Sequence, residues 1–261
     1  MTTVTNYPGY SYPPGFLAGL AVDVLRLHPR NFRRDAAACV ERLKPPLQVL
    51  GEEHIPQHGP CVVTVNHYYR QGFSAQWFPL AIAATVPADM RWIMTEELTY
   101  PGKWYAPTGR VVSRFILRRI ARIYGFLPMP PMPPRPRDIH ARAKAVRAVM
   151  DFVKNTQAPI LGLAPEGGDS VDGALAWPAS GVGRFGLLLS NAGLKFIPVG
   201  AYEADGVFTI RFGREYDLKA DNGLSTDEKD RYAAGVIMKN IAQLLPIQLR
   251  GEFFHKNSPR S

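Results

Sequence analysis

The amino-acid sequence predicts an α/β fold: a single domain in which helices flank a central, mostly buried sheet, preceded by an N-terminal helical segment. Short apolar runs of the kind found in buried strands alternate along the chain with segments of helical periodicity. Glycine and proline clusters separate these segments, and the sequence contains no internal repeat. The chain has 261 residues, of which 46% are hydrophobic, so it can bury a sizeable core.

The first predicted element is a basic amphipathic segment. Apolar residues recur at helical spacing between positions 16 and 27, which predicts one or two helices over residues 16–43. The pattern is typical both of a helix that lies on a membrane surface and of a helix packed on its own domain. We therefore divide the chain into an N-terminal helical segment, residues 1–45, for which membrane association is one interpretation, and an α/β domain, residues 46–261.

The first half of the α/β domain follows from the same patterns. The sequence predicts, in chain order, a short strand near residue 49, a buried strand at Cys61–Val65, a helix at Trp77–Thr85 and a strand at residues 91–94. A helix over residues 110–124 places four arginines in steps of four: Arg110, Arg114, Arg118 and Arg122. This stripe suits a lipid headgroup layer or a phosphorylated substrate, and it also suits a solvated helix face.

The second half begins with a proline-rich connection over residues 128–136, which should be extended. Asp138 is predicted to cap a helix that ends near residue 155. Then follow, in order, a strand and glycine turn in "PILGLAPEGGD", a helix at Val182–Asn191, strands in "KFIPVGAY" and "VFTIRFG", and a final helix over residues 226–245.

The composition points to anionic partners. The net charge is +9, and 22 of the 31 basic residues are arginine, the side chain suited to bidentate contact with phosphate. Nucleic acid is not expected, because no aromatic platform motif is interleaved with the basic residues. Cys39 and Cys61 form no ligand pair, which favours buried thiols in a reducing, cytoplasmic compartment. The longest apolar run, residues 77–88, is shorter than the roughly 20 residues of a spanning helix, and the N-terminus lacks a signal-peptide pattern, so any membrane association should be peripheral.

Three patterns resemble known functional motifs but lack the sequence context that those motifs require. "GVGRFG" at residues 181–186 fits a dinucleotide fingerprint, but no buried strand precedes it, so we expect these glycines to form a turn and a close helix contact. His54, His58 and His67 lack metal-ligand spacing, and we predict no metal site. Ser170, Asp172 and His67 remain a weak alternative as a hydrolase triad, because no nucleophile elbow surrounds the serine.

Residues that could act in catalysis follow the ends of two predicted strands. Asn66 and His67 follow the buried strand "CVVTV", and Glu166, Gly167 and Gly168 follow the apolar run "PILGLA". A neutral imidazole has an ordinary pKa of about 6.5 and can take a proton from an alcohol. Because strand ends of an α/β sheet meet at one crevice, we expect both turns to face the same site.

At these residues the sequence resembles the glycerol-phosphate and lysophospholipid acyltransferases, the family of 1-acyl-glycerol-3-phosphate acyltransferase. The resemblance covers roughly residues 47–251. "LQVLGEEHIPQHGPCVVTVNH" is similar to the approach to the family's Asn-His block, "LAPEGGDS" to its Glu-Gly block, and "GVGRFGLLLSNAGLKFIPVGAY" to the helix and proline-containing strand that follow.

The resemblance implies transfer of a fatty acyl group to a hydroxyl of a lysophospholipid or another glycerol-containing or amphipathic acceptor, as in phospholipid biosynthesis. The donor would be acyl-CoA or acyl-carrier protein, used as a substrate, with no cofactor and no metal. His67 would be the general base. The implied substrate-binding residues are Asn66, Glu166, Gly167, Gly168 and Arg184. The N-terminal helices and the arginine stripe would face an anionic membrane surface, on the cytoplasmic side.

The chain departs from the family pattern at three places. Gly72 stands where the family has the aspartate that orients the histidine, and Asp169 stands where its Glu-Gly block has an arginine. A further phosphate-binding arginine is replaced by the proline-rich segment, where Arg135 or Arg137 could substitute. Three interpretations stay open: another carboxylate orients the histidine, the acceptor lacks a phosphate, or the protein binds lipid or acyl-CoA without transfer. A thioesterase would use the same base. Glu96, Glu97, Asp169 and Asp172 are the candidate carboxylates.

Overall fold

A computed structural model describes residues 7–168 and 173–253 of the chain. Within these ranges seven strands form one sheet and seven α-helices surround it. The strands are β1 (Gln48–Leu50), β2 (Cys61–Val65), β3 (Arg91–Thr95), β4 (Leu127–Met129), β5 (Ile160–Leu163), β6 (Lys195–Ala204) and β7 (Val207–Phe212). The helices are α1 (Phe16–Arg26), α2 (Phe32–Val40), α3 (Trp77–Thr85), α4 (Ala106–Tyr124), α5 (Ile139–Asn155), α6 (Val182–Asn191) and α7 (Thr226–Ala242). The predicted α/β fold is confirmed.

The strand order is β1-β7-β6-β2-β5-β3-β4. The five strands from β6 to β4 are parallel, whereas β7 runs antiparallel to β6 and carries β1 parallel to itself. Strand β2 is central, with Cys61 opposite Ile160 of β5 and Lys195 of β6. In this register β2 and β5 end at the same edge of the sheet, so the turns that follow them are neighbours.

Burial on both faces explains the central strands. All five residues of β2 and all four of β5 are buried, as expected for parallel strands covered by helices on either side. Cys61 belongs to this core, and Cys39 lies buried in α2. Burial raises the pKa of the Cys39 thiol to about 11 and that of Cys61 to about 12, so neither thiol is a ready nucleophile.

The glycines of "GVGRFG" bring α6 against its neighbours. A Cβ at Gly183 would lie 1.9 Å from the carbonyl oxygen of Asp230 in α7, and one at Gly186 would lie 2.9 Å from Leu218. Gly181 adopts a φ of +99°, which favours glycine at the start of the helix. The expected turn and close helix contact are confirmed.

The N-terminal residues pack on the rest of the molecule. The ring of Tyr10 lies against Phe73, Trp77 and Phe208, and Tyr12 stacks on Trp77 with ring centroids 5.2 Å apart. Helix α2 buries Ala36 and Cys39 completely. Within the described ranges, none of the helices combines the length and apolar character needed to cross a bilayer.

Element boundaries agree closely with the predictions where periodicity is strong. The strand at Cys61–Val65 and the helices at Trp77–Thr85 and Val182–Asn191 have the predicted bounds. The predicted cap of α5 is wrong in one respect. Asp138 occupies the N-cap position but makes no capping hydrogen bond, because its carboxylate binds the guanidinium of Arg135.

Candidate functional site

Asn66 fixes the end of β2. Its carboxamide oxygen accepts the N–H of Ala201 at 2.7 Å, and its amide group donates to the carbonyl of the same residue at 2.9 Å. This pair of bonds extends the β2–β6 pairing by side-chain contact one residue beyond Val65. The side chain is 3% exposed, so Asn66 sets where the chain turns toward His67.

Glu166 joins the two predicted turns. One carboxylate oxygen accepts the backbone N–H of His67 at 2.5 Å, and the other accepts the N–H of Ala176 at 2.9 Å. The turn that carries Glu166 is closed by a hydrogen bond from the N–H of Gly167 to the carbonyl of Ala164. Charge-assisted bonds of this kind are strong, so Glu166 holds the backbone of His67, the Glu-Gly turn and the segment near residue 176 together.

The imidazole of His67 is half-buried at this junction. Its ring meets the ring of Phe78 edge to face, with centroids 5.2 Å apart. The segment after residue 172 approaches closely from the other side, because a Cβ at Gly173 would lie 2.4 Å from the carbonyl oxygen of Tyr69. Gly173 has a φ of +73°, which also favours glycine there.

Gly167 and Gly168 form the exposed rim of the site. A Cβ at Gly167 would lie 2.7 Å from the side chain of Met132, and its φ is +71°. Apart from its chain neighbours, no atom of the described residues lies within 4 Å of a Cβ built at Gly168. The structure therefore brings Asn66, His67 and the Glu-Gly turn together. Asp169, Ser170 and Asp172 lie outside the described residues.

Arg184 lies on α6 with an exposed side chain. Its backbone N–H, together with that of Gly181, donates to the carboxylate of Asp230 at 2.7 Å. These two bonds satisfy the first turn of α6. The substrate-binding role of Arg184 stays a prediction.

Glu96 and Glu97, two of the four candidate orienting carboxylates, pair with arginines. Glu97 is 1% exposed and binds Arg114 through one oxygen and Arg135 through the other. Burial alone would raise the pKa of Glu97, but the hydrogen bonds from Arg135 and Arg114 outweigh burial and hold that pKa below its ordinary value. Glu96 pairs with Arg118 at 2.8 Å.

These ion pairs show that two arginines of the stripe bind carboxylates of the protein itself. The charges of Arg114 and Arg118 are balanced by carboxylates, and Arg135 binds both Glu97 and Asp138. Arg135 is therefore engaged within the protein, whereas Arg137 is 61% exposed.

Glu203, at the end of β6, organises the turn that follows His67. Its carboxylate accepts hydrogen bonds from the guanidinium of Arg70, from the hydroxyl of Tyr68 at 3.0 Å and from that of Tyr10 at 2.5 Å. Burial, reinforced by the Glu203 charge, raises the pKa of both tyrosines. Sequence reasoning missed this cluster, because its members lie more than 130 positions from Glu203.

A cavity of about 140 Å³ opens beside the Glu-Gly turn. It lies at the carboxyl edge of the sheet, between the ends of β3, β4 and β5 and the start of α6, and we call it the β3–β5 cavity. Ala164, Pro165 and Gly167, which flank Glu166 in sequence, form part of its wall. Arg142 of α5 also lines it, and no sequence pattern had singled out this residue.

Comparison with known proteins gives a similarity to solved structures but not to known sequences. No protein-family model and no curated protein sequence matches the chain. Among solved structures, the chain is similar to the 1-acyl-sn-glycerophosphate (LPA) acyltransferase PlsC from Thermotoga maritima, with 18% sequence identity and a TM-score of 0.49. The alignment covers 87% of this chain and 82% of that one. At this identity and TM-score, the similarity assigns no role to any residue of this chain.

Proposed function

We propose that this protein is an acyltransferase that moves a fatty acyl group from a thioester donor to a hydroxyl of an amphipathic, glycerol-containing acceptor, with His67 as general base. The observation that carries this proposal is the bridge made by Glu166. Its carboxylate binds the N–H groups of His67 and Ala176, so His67 and the exposed glycine turn are neighbours at the carboxyl edge of the sheet.

The reaction needs a base and a site open to two substrates. A ring nitrogen of His67 takes the proton of the acceptor hydroxyl as the oxygen attacks the thioester carbonyl carbon. The carbon–sulfur bond then breaks, and the departing thiolate receives the proton from the imidazolium. The products are an ester and a free thiol. Asn66 and Glu166 hold the backbone immediately before the imidazole, which supports a fixed position for the base.

The exposed residues of α1 and α4 support the proposal that the protein binds a membrane surface. Ten large apolar side chains are exposed on α1, on α4 and in the loop that leads into α4: Leu17, Val22, Leu25, Leu98, Trp104, Tyr105, Val111, Val112, Phe115 and Ile116. Arg119 ties the two helices together, because its guanidinium donates to the carbonyls of Val24 and Leu25 at 3.0 Å. Exposed apolar residues beside basic ones are typical of proteins that lie on anionic lipid.

Vesicle binding tests this membrane surface. Trp104 is 92% exposed and should insert at the headgroup level, so Trp104→Ala should weaken binding to anionic vesicles several-fold. Tyr232→Ala, which removes a 51% exposed aromatic on α7, is the matched control and should bind like the wild type. Binding should also fall with added salt. Equal binding of wild type and Trp104→Ala would exclude this surface.

Release of free thiol from acyl-CoA tests the proposed reaction. The wild type is compared with His67→Ala over a panel of chain lengths, with and without lysophospholipid or monoacylglycerol. We expect release that requires an acceptor and that falls by at least about 10²-fold in the variant, since a positioned base contributes about 10²–10⁴-fold. Release that needs no acceptor would favour a thioesterase. No release by a folded protein that still binds acyl-CoA would favour a lipid-binding protein without activity.

A further inference from the structure

The β3–β5 cavity is largely apolar. Its walls include Met94, Met129, Met132, Leu163 and Phe185, which suit the hydrocarbon part of a ligand. At about 140 Å³ the cavity accommodates a group of a few heavy atoms rather than a whole lipid. It adjoins the turn that carries Glu166, whose carboxylate binds the backbone N–H of His67.

Arg142 is the ionisable residue among the described residues that line this cavity. The proline-rich segment orients its guanidinium, which donates to the carbonyls of Pro130 at 3.3 Å and Pro131 at 2.9 Å and to the sulfur of Met132 at 3.4 Å. All three acceptors are uncharged. Nη1 donates one of these bonds and Nη2 donates the other two, whereas Nε donates no hydrogen bond within the described part of the chain.

The ion pairing of Arg142 differs from that of the other arginines near the site. Over residues 7–168 and 173–253, no acidic side chain forms an ion pair with it, whereas Arg114, Arg118 and Arg135 each bind one. Asp138 acts on Arg142 electrostatically, but its carboxylate is bound to Arg135. Burial lowers the pKa of Arg142, as expected for a cation partly withdrawn from water. A partly buried cation without a partner is costly, and an anionic ligand removes that cost.

We propose that Arg142 binds the phosphate group of an amphiphilic substrate in the β3–β5 cavity. The N–H group at Nε suits a phosphate oxygen, and the apolar walls suit the adjoining methylene or glycerol part. The inference rests on the proposed function, and the phosphate belongs either to a lysophospholipid acceptor or to the coenzyme A of the donor.

Direct binding tests the proposal without turnover. Isothermal titration calorimetry uses short-chain lysophosphatidate, the matching monoacylglycerol and coenzyme A. These ligands show whether the phosphate contributes to binding and which of the two sources supplies it. For the wild type we expect lysophosphatidate or coenzyme A to bind at least tenfold more tightly than monoacylglycerol. Arg142→Gln should remove this preference and leave the affinity for monoacylglycerol within twofold. Arg147→Gln, which removes an exposed arginine from the same helix, is the control and should behave as wild type.

The pattern of losses identifies the source of the phosphate. Weaker binding of lysophosphatidate alone assigns the cavity to the acceptor, and weaker binding of coenzyme A alone assigns it to the donor. Equal weakening of the lipid with and without phosphate would overturn the proposal, because Arg142 would then only brace the proline-rich segment. If Arg142→Gln does not fold, Arg142→Lys is used instead and should keep a reduced preference for phosphate. A wild type that shows no preference for phosphate also overturns the proposal. Since no step requires acyl transfer, the binding result stands apart from the failure or success of the proposed reaction.

Discussion

Replacing Glu166 by glutamine is the most informative single change in the candidate site. The carboxylate of Glu166 accepts one backbone N–H at each oxygen, from His67 at 2.5 Å and from Ala176 at 2.9 Å. Glutamine is nearly the same size, but it offers one oxygen and one NH₂ group. One of the two backbone N–H groups would then face a donor and lose its partner.

The expected cost follows from these two bonds. A hydrogen bond to a charged group contributes about 1.5–3 kcal/mol, and Glu166→Gln abolishes one and weakens the other by removing the charge. Because Glu166 is half-buried and water can compensate in part, we expect the free energy of unfolding to fall by about 2 kcal/mol. For a chain of this size that corresponds to a decrease in Tm of about 4–8 °C. A shift of His67 by about 1 Å should also lower kcat by about 10²-fold.

Thermal unfolding and thiol release measure the two effects on the same preparation. Glu53→Gln is the matched control, because the side chain of Glu53 is 72% exposed and lies in the loop before β2. The control should keep the Tm and the kcat of the wild type. A Glu166→Gln variant with unchanged Tm and unchanged kcat would show that the bridge does not hold His67 in place, and the reasoning would fail.

Three further changes test other parts of the structure. Glu203→Gln breaks the buried ion pair with Arg70 and should lower the free energy of unfolding by about 3 kcal/mol. Amide exchange around Tyr10, which also binds Glu203, should become faster. Unchanged exchange would contradict the role of Glu203 in holding these residues together. Gly183→Ala places a Cβ 1.9 Å from the carbonyl oxygen of Asp230, so urea unfolding should show a loss of about 1–3 kcal/mol, and a neutral result would refute the close helix contact. The pKa of Glu97 is lowered in the folded state, so the stability it contributes is present above the ordinary value of 4.5 and is lost as the pH falls through the lower folded value. Glu97→Gln should therefore flatten the fall of Tm with acidification below about pH 4.5, and an unchanged pH profile would exclude this contribution.

Local patterns predicted much of the fold. The apolar run Cys61–Val65 and the periodic segments Trp77–Thr85 and Val182–Asn191 have the predicted bounds, because burial on one or both faces leaves a regular signal in the sequence. The two turns of the candidate site were also placed together correctly, since parallel strands of one sheet end at the same edge. The predicted cap at Asp138 failed because Arg135, three residues away, competes for the same carboxylate.

Long-range contacts supplied what the sequence could not show. The pairing of Arg70 with Glu203 joins residues 133 positions apart, and no local pattern marks either partner. Arg142 looked like any basic residue on a helix until the structure placed its guanidinium against the carbonyls of Pro130 and Pro131. The roles of Glu96 and Glu97 likewise depended on which arginines fold against them.

Isotope-labelled acyl transfer tests the central claim most directly. The wild type and His67→Ala, matched for Tm and for binding of acyl-CoA, are incubated with deuterated acyl-CoA and a lysophospholipid or monoacylglycerol, and the lipids are analysed by mass spectrometry. We expect the labelled acyl chain to appear in ester linkage on the acceptor with the wild type, and the rate of its formation to fall by at least about 10²-fold with the variant. Labelled ester formed at the same rate by both proteins, or by neither while both bind acyl-CoA, would contradict the assignment of His67 as the base of an acyltransferase.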